Sequence, residues 1–263
     1  SGAVDFIGTL ISIAIGAVII GYSIRYKNII ALILGIIQLV SSLVFEFFFA
    51  HGVHVENGLY MDSLSLIMAF IIGIIGSGIC IYAVGYMEDF QAEHADGPDR
   101  RPTFFAIMFL FLGAMFAIVF CNNMVWMFTA WEITTLCSFL LIGYTKTEEA
   151  IKNAFRQIIM NILGGIAFVI ALFYCAIGLG TLAFDDFLAI GTLAPYLVVL
   201  PVTALAFAGM TKAAQMPFHT WLLGAMVAPT PTSALLHSST MVKAGVFMLV
   251  KLAPVLSVCM IPS

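Results

Sequence analysis

Apolar residues run through this chain in blocks of about 20, each closed by a few polar positions, and that is the length a helix needs to cross a bilayer. Eight blocks qualify: residues 4–22, 29–50, 62–86, 103–121, 124–144, 151–178, 195–223 and 231–255. The connections between them are short. Asn122 and Asn123 alone separate the fourth block from the fifth, which predicts a tight antiparallel hairpin. The stretch GLGTLAFDDFLAIGTLAPY, between the sixth and seventh blocks, mixes apolar with polar positions and reads as a segment lying along the outer membrane surface. The pattern predicts an all-α polytopic membrane helix bundle with about eight transmembrane helices.

The seventh block carries its own interruption, Lys212-Ala-Ala-Gln-Met-Pro217. Proline removes a backbone hydrogen bond and clashes with the preceding turn, so the helix should break just before it. A simple proline kink is the plain reading. Thr211, Lys212, Gln215 and His219 around the proline favour a helix broken at a polar cavity, the place where membrane proteins tolerate irregular backbone and flank transported ions.

Composition supports the membrane reading and narrows the rest. Hydrophobic residues make up 62% of the 263 and charged residues only 9%, against about 25% charged in soluble domains, so nothing could form a water-facing shell. Arg25, Lys27, Arg100, Arg101, Lys146, Lys152 and Arg156, seven of the ten basic residues, lie in alternate connections or in the first turns beside them. By the positive-inside rule those connections face the cytoplasm and the N-terminus faces out. The expected location is the cytoplasmic (inner) membrane of a prokaryote. No basic patch exists to bind nucleic acid. The five cysteines are scattered singly through apolar segments and read as small buried hydrophobes. His51 and His54 form an HxxH with no third ligand in sight, so no metal is assigned, and no nucleotide or haem motif is visible. The chain opens Ser-Gly-Ala, with neither an initiator methionine nor a cleavable signal, and its start reads as trimmed.

Charges inside the apolar blocks carry the chemistry. They are Glu46, Asp62, Glu132, Lys212, His219, His237, Lys243 and Lys251. A charge near the bilayer centre costs about 2.5–3.5 kcal/mol on insertion scales, and such residues usually face the bundle interior along an ion or proton path. Glu46 and Asp62 lie near block ends, where a carboxylate reaches the interface, and a structural reading suits them; His219 and Lys251 are also close to ends. Glu132, Lys212, His237 and Lys243 are harder to explain structurally. The depths of Glu132 and Lys212 in their blocks let them meet near mid-membrane, where an ion pair at about 4 Å and an effective dielectric near 20 is worth about 4 kcal/mol. Such a pair is a proton switch: the lysine keeps its proton beside the glutamate and releases it when the glutamate is drawn elsewhere. His237 and Lys243, on a continuous helix, would stand about 9 Å apart along the axis, with Ser238, Ser239 and Thr240 between them. Hydroxyls, an imidazole and an amine at that spacing suit a hydrated relay. Asp62, His219, Thr211, Ser238 and Ser239 are secondary candidates for the same path.

These residues also carry a family resemblance. WEITTLCSFLLIGY resembles the glutamate-bearing fifth helix of the antiporter-like subunits of respiratory complex I, Mrp antiporters and energy-converting membrane-bound hydrogenases. KAAQMPFHTWLLGAMVAPTPTSALLHSSTMVKAG resembles their broken seventh helix and their eighth, and LYMDSLSLIMAFIIGIIGSGICIYAVGYM their third. The HSSTMVKAG wording is most similar to the hydrogenase branch. The resemblance implies that Glu132 is the fifth-helix glutamate, Lys212 the pumping lysine, His237 the eighth-helix histidine and Lys243 a lysine found there in part of the family. It divides the chain into N-terminal transmembrane helices one to three over 1–102 and a five-helix repeat, helices four to eight, over 103–258, with the family's second inverted repeat absent. Where many relatives place an aspartate in the sixth helix, ILGGIAF offers Gly164 and Gly165.

The expectation that follows is a proton- or Na⁺-translocating membrane subunit of a redox-driven complex. By resemblance its partners are other membrane subunits, peripheral electron-transfer subunits and the lipid bilayer. No cofactor is expected on this chain; iron–sulfur, nickel–iron or flavin centres are implied on partner subunits. The rival from another class is an independent or Mrp-type cation/proton antiporter with no redox partner, and a third reading is a structural anchor with vestigial charges.

Overall fold

The computed structural model describes residues 2–53, 55–93 and 98–260. The antiparallel pair α1 (Gly2–Arg25) and α2 (Ile29–Phe48) opens the fold. The third span begins as α3 (Ser63–Phe70), passes through a π-helical turn at Ile71–Ile75, and continues as α4 (Gly76–Glu93). Next come α5 (Arg101–Phe120), α6 (Met124–Ile142) and α7 (Glu148–Tyr174), the last extended by a π-helical turn at Cys175–Leu179. A short α8 (Phe184–Leu193) leads to α9 (Val199–Lys212), the single-turn α10 (Thr220–Gly224), α11 (Thr230–Ser238) and α12 (Met241–Met260). Seven helical stretches among the described residues are long and apolar enough to cross a membrane. The block that begins at 195 is covered instead by α9, which at 14 residues spans only about 21 Å, with α10 following the break.

Local signals set the boundaries. Asn28, Asp62, Asn123 and Thr147 each accept a hydrogen bond from a backbone N–H of the first turn of α2, α3, α6 and α7, satisfying donors that a helix start leaves orphaned. The two-asparagine hairpin between α5 and α6 forms as expected. It is knitted to its neighbours by Asn122 N–H to the Gly58 carbonyl, by Phe184 N–H to the Asn122 carbonyl and by the Asn122 side chain to Asp185. At the opposite, basic end, Arg100 donates to the Tyr144 carbonyl and stacks on the Tyr144 ring. The Arg101 guanidinium there holds the Asp99 carboxyl at about 2.

The most enclosed element is α6: 72% of its most apolar stretch is buried, against 22% for α1, so α6 is the axis on which a site can be built. It packs between α5, α7 and α1, while α9 lies against α7 and α12. Two expectations need revision. The eighth block is not one helix: it stops at Ser238 and restarts at Met241, so the 9 Å axial spacing of His237 and Lys243 does not apply. Ser239 leaves the helical conformation (φ −130°, ψ −10°) and the Thr240 hydroxyl bonds the Leu235 carbonyl, the competition with the backbone that serine and threonine offer. Glu46 is not a freely exposed end residue either: only 7% of it is exposed, and it lines a cavity between α1, α2 and α6. Of the HxxH pair, His54 lies outside the described residues.

Candidate functional site

Residues at i, i+3 and i+4 of a helix share a face, and on α6 those positions are Trp131, Thr134 and Thr135. Glu132 is turned about 100° away from Trp131. Lys212, the last residue of α9, is fully buried against the first face. Its Nζ donates to the Trp131 carbonyl at 2.8 Å, to Thr134 Oγ1 at 2.7 Å and to Thr135 Oγ1 at 2.9 Å. An ammonium has three donors, and all three are used. Both threonine hydroxyls pass a hydrogen bond on to the same Trp131 carbonyl, at 2.7 and 3.1 Å. The Nζ also lies 4.6 Å from the Trp131 ring centroid, within reach of cation–π attraction, and at the C-terminus of α9, where the helix dipole favours a cation.

The chain places Lys212 there by ending α9 abruptly. Ala213 N–H bonds the Gly209 carbonyl, Gln215 N–H bonds the Met210 carbonyl, and the Trp221 indole N–H caps the Thr211 carbonyl at 2.8 Å, so the freed carbonyls are satisfied. Ala214 closes the turn in the left-handed region, at φ 53°. Beside it α9 and α12 touch backbone to backbone: a Cβ on Gly245 would stand 2.4 Å from both the Gly209 carbonyl oxygen and the Ala213 nitrogen. Small residues make such approach possible.

Glu132 does not pair with Lys212. Only 4% exposed, its carboxylate accepts a hydrogen bond from the Gln38 side-chain amide of α2, and its Oε1 has no hydrogen-bond partner. The expected direct ion pair is replaced by two separately held charges on different faces of α6. ILGGIAF supplies the space. A Cβ on Gly165 would lie 2.9 Å from Glu132 Oε1 and 2.6 Å from Gln38 Nε2, and one on Gly164 would lie 2.1 Å from Thr211 Oγ1.

From Lys212 a line of buried polar groups leads to the break in the eighth segment. Ser138 donates to the Thr134 carbonyl and to Met241 Sδ; Gln157 Nε2 reaches the Thr135 carbonyl at 3.4 Å and Met241 Sδ at 3.8 Å; Asn161 bonds the Gln157 carbonyl. At the break, His237 Nε2 and Ser239 Oγ are buried without partners, while Ser238 turns back onto the Ala234 carbonyl. Lys243, half-buried one turn into α12, has no hydrogen-bond or ion-pair partner among the described residues. Thr211 bonds its own helix at Ala208 and His219 is exposed, so neither is brought to the lysine. Asp62 does other work: it caps α3 through Ser65 and forms an ion pair with Lys251 of α12, which also sits over the Tyr60 and Phe247 rings. Sequence reasoning missed Gln38, Thr134, Thr135, Ser138 and Gln157. For Gln38 a signal existed, because Gln38, Ser42 and Glu46 repeat at four-residue spacing on a helix whose one other polar residue is Ser41.

Among the described residues no group of three or more His, Cys, Asp or Glu side chains is placed to hold a metal. Comparison with known proteins matches residues 121–262 to the family described as NADH:quinone oxidoreductase/Mrp antiporter, and residues 47–95 to the N-terminus of complex I chain 5. The NADH-quinone oxidoreductase subunit L of Mycobacterium tuberculosis is 36% identical over 222 residues, which is 84% of this chain and 34% of that protein. The Na⁺/H⁺ antiporter subunit A1 of Staphylococcus haemolyticus is 31% identical over 203 residues, 76% of this chain and 24% of that protein. Among solved structures, the Mrp complex from Dietzia sp. DQ12-45-1b contains a chain that superposes with a TM-score of 0.65 at 26% identity, covering 95% of this chain and 28% of its own. The chain thus spans about a quarter to a third of the length of the curated relatives it matches. These three relatives are complex I and Mrp proteins, and none of them is of the hydrogenase branch expected from HSSTMVKAG.

Proposed function

The chain belongs to the NADH:quinone oxidoreductase/Mrp antiporter family of membrane subunits, and from that premise we propose that it translocates protons, or Na⁺, through Glu132, Lys212, His237 and Lys243. The observation that carries this reading is the Lys212 site. A fully buried ammonium is held by three hydrogen bonds on α6, with a buried carboxylate on the adjoining face. Isolated charges in such surroundings are expensive, and nothing in the packing of an apolar bundle requires them. Lys212 in this seat is the charged resting form. Loss of its proton leaves two N–H donors for three acceptors and so releases one of them. Beyond the Thr134 and Thr135 hydroxyls, buried polar groups lead through Ser138 and Gln157 toward the break at His237. Lys243 lies beyond the break as the next basic group.

In this reading the chain works as an antiporter-like subunit within a multi-subunit assembly in an inner membrane, its N-terminus outside, with residues 103–258 as the five-helix repeat. The redox-driven setting places iron–sulfur, nickel–iron or flavin centres on partner subunits and none here. The Mrp-type setting, cation/proton antiport without a redox partner, is favoured by the match to the Na⁺/H⁺ antiporter subunit and the Mrp complex. Gentle extraction followed by mass spectrometry and iron analysis separates the two: stoichiometric iron–sulfur subunits support the first, antiporter subunits without iron the second. The site itself is tested by Lys212→Ala in the whole assembly. Proton uptake into vesicles should be lost while any partner redox activity is largely spared, and unchanged uptake overturns the proposal.

A further inference from the structure

The face of α2 turned into the bundle carries Gln38, Ser42 and Glu46, one helical turn apart and each less than 10% exposed. Gln38 is bonded to Glu132. Around it a small cavity of about 20 Å³ is lined by Ser12, Gln38, Ser42 and Glu132 together with Gly16 and Phe128. That volume holds one or two waters, since about 10–15 Å³ accommodates one. The polar partners such a water needs are present, because Ser12 Oγ, Gln38 Oε1 and Glu132 Oε1 are all buried and unpartnered.

One turn further along α1, α2 and α6 lies a second, larger cavity of about 90 Å³. Its lining includes Asp5, Thr9, Glu46, Asn123, Trp126 and Thr129, with Trp126 Nε1 donating to Asp5 at 2.9 Å. Two carboxylates and no lysine or arginine face it. The two cavities are aligned through consecutive turns of the same three helices: Ser12 against Thr9, Ser42 against Glu46, and Glu132 against Thr129.

We propose that this face of α2, closed by α1 and α6, is a hydrated proton path joining Glu132 to the membrane face where α1 begins and α2 ends, with Glu46 the carboxylate at its mouth. Gln38 is the positioning residue that aims the Glu132 carboxylate into the path. The path rests on the reading of Glu132 as a proton-carrying group. It leads away from Lys212, so Glu132 exchanges protons with one membrane face on its α2 side and is coupled to Lys212 across α6.

The test uses the full-length chain in its native assembly in sealed vesicles. Glu132→Gln comes first: undiminished proton uptake overturns the functional reading and the path with it. With uptake lost in Glu132→Gln, Ser42→Val should slow uptake roughly a hundredfold, the lower end of what a positioned proton-transfer group contributes, and Glu46→Gln should do the same. Ser42→Thr, equal in size to the valine variant but retaining the hydroxyl, should run at the original rate. In a chain whose five native cysteines are replaced by alanine, Ser42→Cys should react with a small hydrophilic thiol reagent added from the Glu46 side. Val40→Cys and Val44→Cys, exposed on the lipid-facing side of the same helix, should not. An inactive Glu132→Gln combined with full-rate Ser42→Val and Glu46→Gln variants overturns the path alone. So does a Ser42→Cys no more reactive than Val40→Cys.

Discussion

Replacing Thr134 by valine removes one acceptor from the Lys212 ammonium and changes almost nothing else. The two side chains have the same shape, and the site has no exposure to water that could replace the lost partner. Three donors then face two acceptors, the Trp131 carbonyl at 2.8 Å and Thr135 at 2.9 Å. A hydrogen bond to a charged group contributes about 1.5–3 kcal/mol, and an orphaned charged donor costs at least as much. At 1.4 kcal/mol per factor of ten, the seated ammonium should lose roughly ten- to a hundredfold in population against states in which Lys212 has left or lost its proton. The assay is proton uptake by the full assembly in vesicles, compared with Thr134→Ser, which keeps the hydroxyl. The expected result is a strongly altered rate in Thr134→Val, restoration in Thr134→Ser, and unchanged amounts of folded protein in the membrane. A Thr134→Val variant that transports normally refutes the reasoning, because the three-bond seat would then be dispensable.

Gly165→Ala should reduce transport with little loss of stability: its Cβ would meet the movable ends of Gln38 and Glu132 rather than backbone, so the charge shifts while the fold stands, measurable as uptake against thermal midpoint in detergent. Gly245→Ala should behave in the opposite order. There the Cβ meets backbone atoms of Gly209 and Ala213 at 2.4 Å, α9 and α12 must separate, and overpacking of about 1–3 kcal/mol should appear as a lowered thermal midpoint. Asp62→Asn should uncouple α3 from α12 by leaving the buried Lys251 without its counter-charge, and a midpoint equal to the original would show that the pair contributes nothing.

The bundle was legible because apolar blocks and asparagine or threonine caps are local signals, and lipid leaves a backbone little choice but helix. The break after Lys212 was legible from Pro217. The break after Ser238 was not, because serine and threonine interrupt a helix only when their hydroxyls find the backbone, as Thr240 does at Leu235. Glu132 and Lys212 were found as charges in the wrong solvent, but depth arithmetic could not show what each would bond. The lysine settled on hydroxyls of α6, the glutamate on an amide of α2. Gly164 and Gly165 looked like missing acid groups in the sequence and prove to be space for Thr211 and for the Glu132–Gln38 contact. His219 belonged to the same polar cluster by sequence, and the turn after α9 carries it outward.

The placement of the two charges on one turn of α6 has an electrical consequence. A membrane potential acts only on displacement across the bilayer, at about 2.3 kcal/mol per elementary charge for 100 mV. Charge exchanged between the Glu132 and Lys212 seats moves largely sideways, from one face of a helix to another, within about 5.4 Å of axial height. That exchange is therefore nearly blind to voltage. The run from Gln38 to Glu46 covers eight residues, about 12 Å, of an apolar core about 30 Å thick. About two-fifths of an applied voltage would fall there, roughly 1 kcal/mol per charge at 100 mV. The protein would feel its membrane potential along α2, while the chemistry at its centre proceeds at almost constant electrical height.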